Sequence, residues 1–314
     1  MRRQKNGFHN TLSLKQTTRA IINASKEYHP AQRGRGSFRR CYNWLLIAAL
    51  KAAPEAEGKY SIMLREYHKS YSKALERDME MLIFGHAGAR ILAFPTSCGR
   101  FFDWENFGLV ESLGEALSRG WFQLFCLDSV DIESWWNQDI NPEARLKRHL
   151  AYQKYVIEEV LPLTESRNSH CYTIAAGCSF GAYHSANLAL RFPDRFNRVL
   201  GMSGVYEVRT WTDNRMDDQL ALGSPSDLIS RIKDQSVLEQ IRSLDWILPT
   251  GAEDPLLPSN EDFSQALKAK GVPHHVDIWD GNCHDWLSWS KMLPKYIGGV
   301  TAGQTSTAMG LKSL

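Results

Sequence analysis

Five residues, Gly177, Cys178, Ser179, Phe180 and Gly181, place a serine between two glycines, with the β-type run CYTIAA (171–176) before them and a helical pattern over 182–191 after them. A chain that passes from strand to helix in so few residues turns sharply and strains its central residue. Positions two residues to either side then have to lack bulk, because the backbone folds back on itself there. Gly177 and Gly181 meet that demand. The turn lifts the Ser179 hydroxyl above the sheet, and the helix that follows brings its positive end and the Phe180 amide N–H to an oxyanion forming there. The five letters alone also fit an ordinary glycine-rich connection; the strand before them and the helix after them turn the match into a candidate nucleophile elbow.

A serine at such an elbow needs a base and a carboxylate to orient that base, in the chain order Ser, then Asp or Glu, then His. Three histidines follow at a useful distance, His274, His275 and His284. The first two open the alternating run HHVDIW and belong to a strand, whereas His284 falls in GNCHDW, between that strand and an amphipathic stretch over 287–297. This puts His284 in a loop at the carboxyl edge of the sheet, where open α/β sheets bind ligands. For the acid, WILPT (246–250) reads as a buried strand and residues 251–255 as its exit turn, with Asp254 the first choice and Glu253 and Asp280 as rivals. The second oxyanion donor is expected from the loop after the third strand. RILAFP (90–95) reads as that strand, so a backbone N–H of Thr96 or Ser97 is the candidate.

The stretches RDMEMLIFGHAG (77–88), FPTSCGRFFDWEN (94–106), LDSVDIESWWN (127–137), GCSFGAYHSANLALRFPDRF (177–196), TGAEDP (250–255) and CHDWLSW (283–289) carry a resemblance over about 67–297. The chain resembles the bacterial "putative esterase" family of α/β-hydrolases, relatives of S-formylglutathione hydrolase, enterochelin esterase and the mycolyltransferases. The family's nucleophile falls on Ser179, its acid on Asp254 and its base on His284, in agreement with the order and position argued above. One departure is Cys98, which stands where many relatives carry a second glycine in the loop after the third strand. The resemblance implies a serine esterase that cleaves a carboxylic ester or thioester through an acyl-enzyme, with a small-molecule substrate and no metal or organic cofactor. An acyltransferase using the same three residues with an alcohol acceptor, and a non-catalytic binding module on a hydrolase fold, are the other classes to weigh.

At 314 residues, 43% hydrophobic and 23% charged, the chain can bury one full core, and a single α/β domain with flanks fits that length. No stretch reaches the roughly 18 apolar residues of a membrane span; the longest near the start covers 44–50. Charge locates a boundary. Residues 1–60 hold 12 Lys or Arg against 3 Asp or Glu, a net of +9, while 61–314 hold 25 against 32, a net of −7, together the chain's +2. The first 60 residues, rich in Arg, Asn, Gln and Ser and containing RGRGS (33–37), read as a basic, disordered extension with a short helix over 42–53. A late signal peptide, a basic arm for nucleic acid or anionic lipid, and a true start at Met63 compete as explanations, and Met63 is preferred, so no nucleic-acid partner is expected. The catalytic domain is then 61–298, with a flexible tail over 299–314.

Within that domain, strands are expected over 66–72, 79–84, 91–94, 122–127, 172–176, 198–202, 246–250 and 275–279, and helices over 109–118, 142–161, 181–192, 260–270 and 285–296. The alternation implies an α/β-hydrolase fold, a mostly parallel central sheet with helices on both faces. The polar segment 205–238 reads as a small cap over the site. Trp104, Trp135, Trp136, Trp211 and Trp286 fall in or near loops at the same sheet edge and are the candidate walls of a substrate pocket, with Trp289 beside them. Asp128, Asp131 and Asn137, in the loop after the fourth strand, are candidates for polar contacts to a hydroxyl-bearing substrate, with solvated loop acids the preferred reading. Six cysteines without metal-ligand or CxxC spacing point to reduced thiols and a cytoplasmic setting, in which a homo-oligomer is possible. Three of them, Cys98, Cys178 and Cys283, belong to loops converging on the serine; buried small side chains are the default reading, and inhibition by thiol oxidation is the alternative.

Overall fold

A computed structural model describes residues 63–299. The basic extension over 1–60 with its helix over 42–53, and the tail beyond 299, lie outside the described residues. Eight strands, β1 (Arg65–Ser72), β2 (Arg77–Phe84), β3 (Ala89–Phe94), β4 (Phe122–Leu127), β5 (Thr173–Cys178), β6 (Arg198–Met202), β7 (Asp245–Gly251) and β8 (His274–Trp279), form one sheet in the order β1-β2-β4-β3-β5-β6-β7-β8. β1 and β2 pair as a hairpin from Arg65↔Phe84 to Ser72↔Arg77, and β2 runs antiparallel to β4. From β4 to β8 every pairing is parallel.

The sequence of each strand reports its place. Every residue of β3, β4, β5 and β6 is buried, which is why these strands read as near-continuous apolar runs. β1, REYHKSYS, is exposed along nearly its whole length and closes one edge with charge. Alternation divides the inner strands between two cores. Leu92, Phe94, Phe125, Leu127, Ala175, Val199, Trp246 and Leu248 face one side. Ile91, Ala93, Leu124, Cys126, Ile174, Ala176, Leu200 and Ile247 face the other.

The helices are α1 (Asp103–Asn106), α2 (Leu109–Ser112), α3 (Gly114–Ser118), α4 (Pro142–Tyr155), α5 (Leu161–Arg167), α6 (Phe180–Arg191), α7 (Pro225–Arg231), α8 (Gln235–Arg242), α9 (Leu257–Ala269) and α10 (Trp286–Tyr296). Helices α4 to α9 cover the first core, and α2, α3 and α10 cover the second. Where the expected single helix over 109–118 should run, the chain breaks at Leu113 into α2 and α3. The helix expected over 142–161 starts as read, with Asn141 capping Ala144 N–H and Pro142 in the first turn, but passes through a π turn, Val156–Val160, before continuing to Arg167. Pro162 accounts for the widening, since it has no N–H to give the carbonyl four residues back. The segment 205–238, read as a polar cap, holds two 3₁₀ turns, Arg209–Trp211 and Leu220–Gly223, and helix α7, with α8 following from Gln235. Asp234, which caps the Ser236 and Val237 amides ahead of the SVLEQI run, was the available signal for α8.

One buried cation closes the far end of the sheet. Arg198, 3% exposed, donates from Nε to Asp245 Oδ2 at 2.8 Å and from Nη1 to the Ile297 carbonyl at 2.6 Å, and it lies over the Tyr172 ring. It therefore ties β6 to β7 and to the chain just past α10. Arg198→Ala strands the Asp245 carboxylate and frees that end, and is expected to lower the unfolding free energy by about 3 kcal/mol, measured by urea denaturation.

Candidate active site

The elbow forms where β5 meets α6. Ser179 has φ 54° and ψ −116°, between a strand that ends at Cys178 and a helix that begins at Phe180. A Cβ on Gly177 would stand 2.1 Å from the Gly181 carbonyl carbon, so only glycine fits there. Gly181 is required for a second reason. Its own Cβ would fall 2.4 Å from the Phe94 carbonyl oxygen and 2.6 Å from that of Pro95, because α6 starts hard against the end of β3. Ser179 N–H donates to Met202 O at 2.9 Å, which fastens the turn to the end of β6.

The acid and the imidazole meet two strands away. His284 Nδ1 lies 3.0 Å from Asp254 Oδ1 and 3.3 Å from Oδ2. A carboxylate only accepts, so Nδ1 carries the hydrogen and Nε2 is left as the basic nitrogen. Asp254 is 3% exposed and also accepts from the Leu256 amide at 2.8 Å and from Thr250 Oγ1 at 3.3 Å. Burial works against its ionised form, but hydrogen bonds from His284, the Leu256 amide and Ser203 outweigh it and hold the carboxyl below the ordinary carboxylate range. The rivals sit elsewhere: Glu253 and Asp280 are exposed. His274 is engaged by Ser264 Oγ at 2.7 Å and the Val272 carbonyl at 2.9 Å. The loop that carries His284 is pressed onto the end of β7, where a Cβ on Gly251 would stand 2.1 Å from Asn282 O. It is finished by Asp285 capping Ser288 N–H at the start of α10, and the imidazole rests edge-on against Trp289 at 5.1 Å.

Among the described residues no hydrogen bond joins Ser179 Oγ to His284. The two loops are linked through the end of β6: Ser203 N–H donates to Pro249 O at 2.8 Å and Ser203 Oγ to Cys283 O at 3.4 Å, one residue on from the strand end that holds Ser179.

In the loop after β3, Gly99 N–H closes a turn onto Thr96 O at 2.9 Å, and Cys98 takes φ 54°. The residue that departs from the glycine of many relatives thus adopts the left-handed backbone glycine would adopt freely. Its N–H is spent on Asp131 Oδ2 at 2.9 Å. The amides of Thr96, Ser97 and Phe180 have no hydrogen-bond partner among the described residues, so these three remain available as donors.

The five pocket tryptophans divide. Trp136 stands edge-on to Phe180 at 4.5 Å and 4.8 Å from Trp211, which is itself 5.5 Å from Phe180, so part of the 205–238 segment reaches the elbow. On the side of His284, Trp286 stacks on Phe107 at 4.5 Å and 10°. Trp104 and Trp135 present no surface to a ligand: they are 1% and 0% exposed, with indole N–H groups given to Phe94 O and Tyr183 OH. Asp128 and Asp131, read as solvated, are 1% and 0% exposed. Asp128 is pushed up by burial and held by Arg100 Nε at 2.8 Å. Of the three thiols in the converging loops, Cys178 and Cys283 are buried and Cys98 is half-buried. Burial and the Asp131 carboxylate push Cys98 up to about 11, and burial alone pushes Cys178 well above its usual value, the reverse of an easily oxidised thiolate. Among the described residues no group of three or more His, Cys, Asp or Glu is arranged to hold a metal ion, and no helix is long and apolar enough to cross a membrane.

A parallel sheet entered by an antiparallel hairpin, with its serine turn at the carboxyl edge, defines an α/β-hydrolase. Residues 128–299 match the family described as "Putative esterase", and the chain belongs to that family, one of carboxylic ester hydrolases. No curated protein matches the sequence. Among similar solved structures, a ferulic acid esterase shares 18% identity at a TM-score of 0.60, covering 75% of this chain and 97% of its own. An S-formylglutathione hydrolase from Agrobacterium tumefaciens shares 13% at 0.59, covering 77% and 95%. An S-formylglutathione hydrolase from Staphylococcus aureus shares 16% at 0.56, covering 76% and 96%. At such identities the likeness is one of fold.

Two outcomes follow from the geometry. Gly177→Ala forces the elbow open and is expected to cost at least about 2 kcal/mol, a fall in Tm on the order of 5 °C by calorimetry. The depressed Asp254 carboxyl contributes stability that is complete above the unfolded value of about 4 and is lost as pH falls through the lower folded value. The stability gap between wild type and Asp254→Asn should therefore narrow as pH drops below about 4 in urea titrations.

Proposed function

We propose that the chain hydrolyses a carboxylic ester or thioester through an acyl-enzyme, with Ser179 as nucleophile, His284 as base and Asp254 as the group that orients it. The observation that carries this reading is the 3.0 Å bond from His284 Nδ1 to the buried Asp254 carboxylate, at the same sheet edge as the left-handed turn at Ser179. That bond fixes the tautomer in which Nε2 can take a proton. Catalytic hydrogen bonds in ligand-free enzymes are commonly long or unformed and tighten only with substrate bound, and Ser179 Oγ is free to turn about χ1, so the lack of a Ser179–His284 hydrogen bond does not count against this reading.

In the first half-reaction Ser179 Oγ forms a bond to the substrate carbonyl carbon while its proton passes to His284 Nε2. The oxyanion is met by the Phe180 amide and by an amide of Thr96 or Ser97. The bond to the leaving oxygen or sulfur then breaks, and the imidazolium returns the proton to that atom. In the second half-reaction water attacks the acyl-enzyme, gives its proton to Nε2, and the collapse restores Ser179 Oγ–H and releases the acid. Asp254 accepts from Nδ1 throughout and stabilises the imidazolium.

The aromatic pairs to either side, Trp136 with Trp211 and Trp286 with Phe107, support an apolar or aromatic acyl or alcohol group. Of the similar structures, the name of the ferulic acid esterase suits an aromatic acyl group, and the names of the two S-formylglutathione hydrolases suit a thioester bond. Ser179→Ala should abolish covalent labelling by a fluorophosphonate probe and lower kcat on p-nitrophenyl esters by at least about four orders of magnitude. Asp254→Asn, which disturbs the tautomer, should lower kcat by about 10³- to 10⁴-fold. Labelling that survives Ser179→Ala sinks the assignment, and a panel of p-nitrophenyl and thiol esters of rising chain length ranks the substrates.

A further inference from the structure

We infer that Asp131 is a positioning residue for the oxyanion loop: its buried carboxylate, held by His184 on the nucleophile helix, turns the Cys98 peptide so that the Thr96 and Ser97 amides are left facing the reaction. The inference rests on the acyl-enzyme reading above. Asp131 Oδ2 accepts from Cys98 N–H at 2.9 Å and Oδ1 lies 2.9 Å from His184 Nε2. Asp131 and His184 are 0% and 1% exposed. His184 Nδ1 has no partner and is buried, so Nε2 is the nitrogen that donates, and the ring has no second hydrogen bond to serve.

The bridge joins the two halves of the anion hole. Cys98 follows directly on Thr96 and Ser97, and His184 lies five residues past Ser179 on α6, the helix that starts with the Phe180 amide. The loop and the helix already touch where Gly181 meets the Phe94 and Pro95 carbonyls. A single contact is a hinge; the Asp131 bridge supplies the second point that fixes orientation. Cys98 also needs such a hold, because φ 54° at a residue with a side chain is strained by about 1–3 kcal/mol and persists only under outside constraint. The turn that bears Asp131 is itself pinned, since Glu133 two residues on accepts from Arg77 and from Arg148. A buried carboxylate is a costly way to fill space, and an apolar side chain would do so at less cost. Its two oxygens instead reach two different elements of the site.

The test uses the full chain, p-nitrophenyl acetate as substrate and a fluorophosphonate probe to count reactive serines. Asp131→Ala should lower kcat per labelled site by about 10- to 100-fold with KM within about threefold, because the lost orientation is felt by the oxyanion and little by the bound ester. Asp131→Asn keeps an acceptor for Cys98 N–H and should stay within about threefold of wild type. A damaged fold lowers the number of labelled sites and leaves the rate per site unchanged, which separates the two causes. A wild-type rate per labelled site in Asp131→Ala, or an Asp131→Asn enzyme as slow as the alanine variant, overturns the inference. Should Asp131→Ala not fold, His184→Gln and His184→Leu take its place: the glutamine retains a donor to Asp131 and should hold kcat, the leucine should lose it, and equal rates in the two overturn the inference. Wild-type protein that neither labels nor turns over removes the hydrolase reading instead.

Discussion

The turn at Ser179 stays left-handed because both of its ends are held: Ser179 N–H is tied to Met202 on β6, and the start of α6 is pressed through Gly181 onto the end of β3. Ser179 is not alone in this. Cys98 after β3, Ser203 after β6 and Cys283 after β8 also have positive φ, between 50° and 56°. Four side-chain-bearing residues are thus strained at the carboxyl ends of four parallel strands, each at a cost of about 1–3 kcal/mol. Under Cys98, Ser179 and Ser203 the fully buried strands β3, β5 and β6 supply the constraint, since a strand packed on both faces cannot move to relax the loop it ends in, while the Cys283 loop, after the half-exposed β8, is held instead where Asn282 O presses on Gly251. Strain at the rim and packing below it are one arrangement, and Ser179, Asp254 and His284 all depend on it.

Much of this could be read from the chain because the features involved are local. Gly177 and Gly181 report a backbone that folds back, and the apolar runs RILAFP and WILPT report strands covered on both faces. The order of Ser179, Asp254 and His284 reports which loops end at the same edge. What the residues did not disclose depended on the third dimension. Trp104 and Trp135 fall in polar stretches that look like pocket wall, yet their indole N–H groups find Phe94 O and Tyr183 OH in the interior. Asp131 reads as solvated beside Ser129 and Glu133, and only the approach of α6 brings His184 to it. The split at Leu113 and the π turn before Pro162 likewise answer to packing and to a missing N–H that periodicity cannot show.

Three carboxylates at this edge are almost fully buried, and their partners set them apart. Asp254 receives N–H and O–H donors on both oxygens and stays below the usual carboxylate range, as a group that must remain charged beside an imidazole requires. Asp128 has Arg100 on one oxygen, while burial leaves the other without a partner and pushes the group upward. Asp131 bridges a peptide and an imidazole. Burial alone therefore does not assign a role to an acid here; the number and kind of donors does.

The aromatic residues bear on what such a site could accept. In the proposed mechanism Phe180 gives its amide to the anion hole, and its ring is locked between Tyr183, stacked at 4.3 Å, and Trp136 at 4.5 Å. Because one residue serves both purposes, the wall made by Trp136 and Trp211 is tied to the position of the oxyanion. An acyl group that displaces that wall would pull on the Phe180 backbone, whereas one that fits against it leaves the donor in place. The Trp286 and Phe107 stack adjoins the loop of His284, the residue that in the proposed mechanism returns the proton to the leaving group. On the proposed mechanism, selection by acyl shape should then fall on kcat as well as KM, and selection by leaving group on the Trp286 side, a division that follows from Trp136 and Trp211 packing on Phe180 and from Trp286 lying two residues after His284.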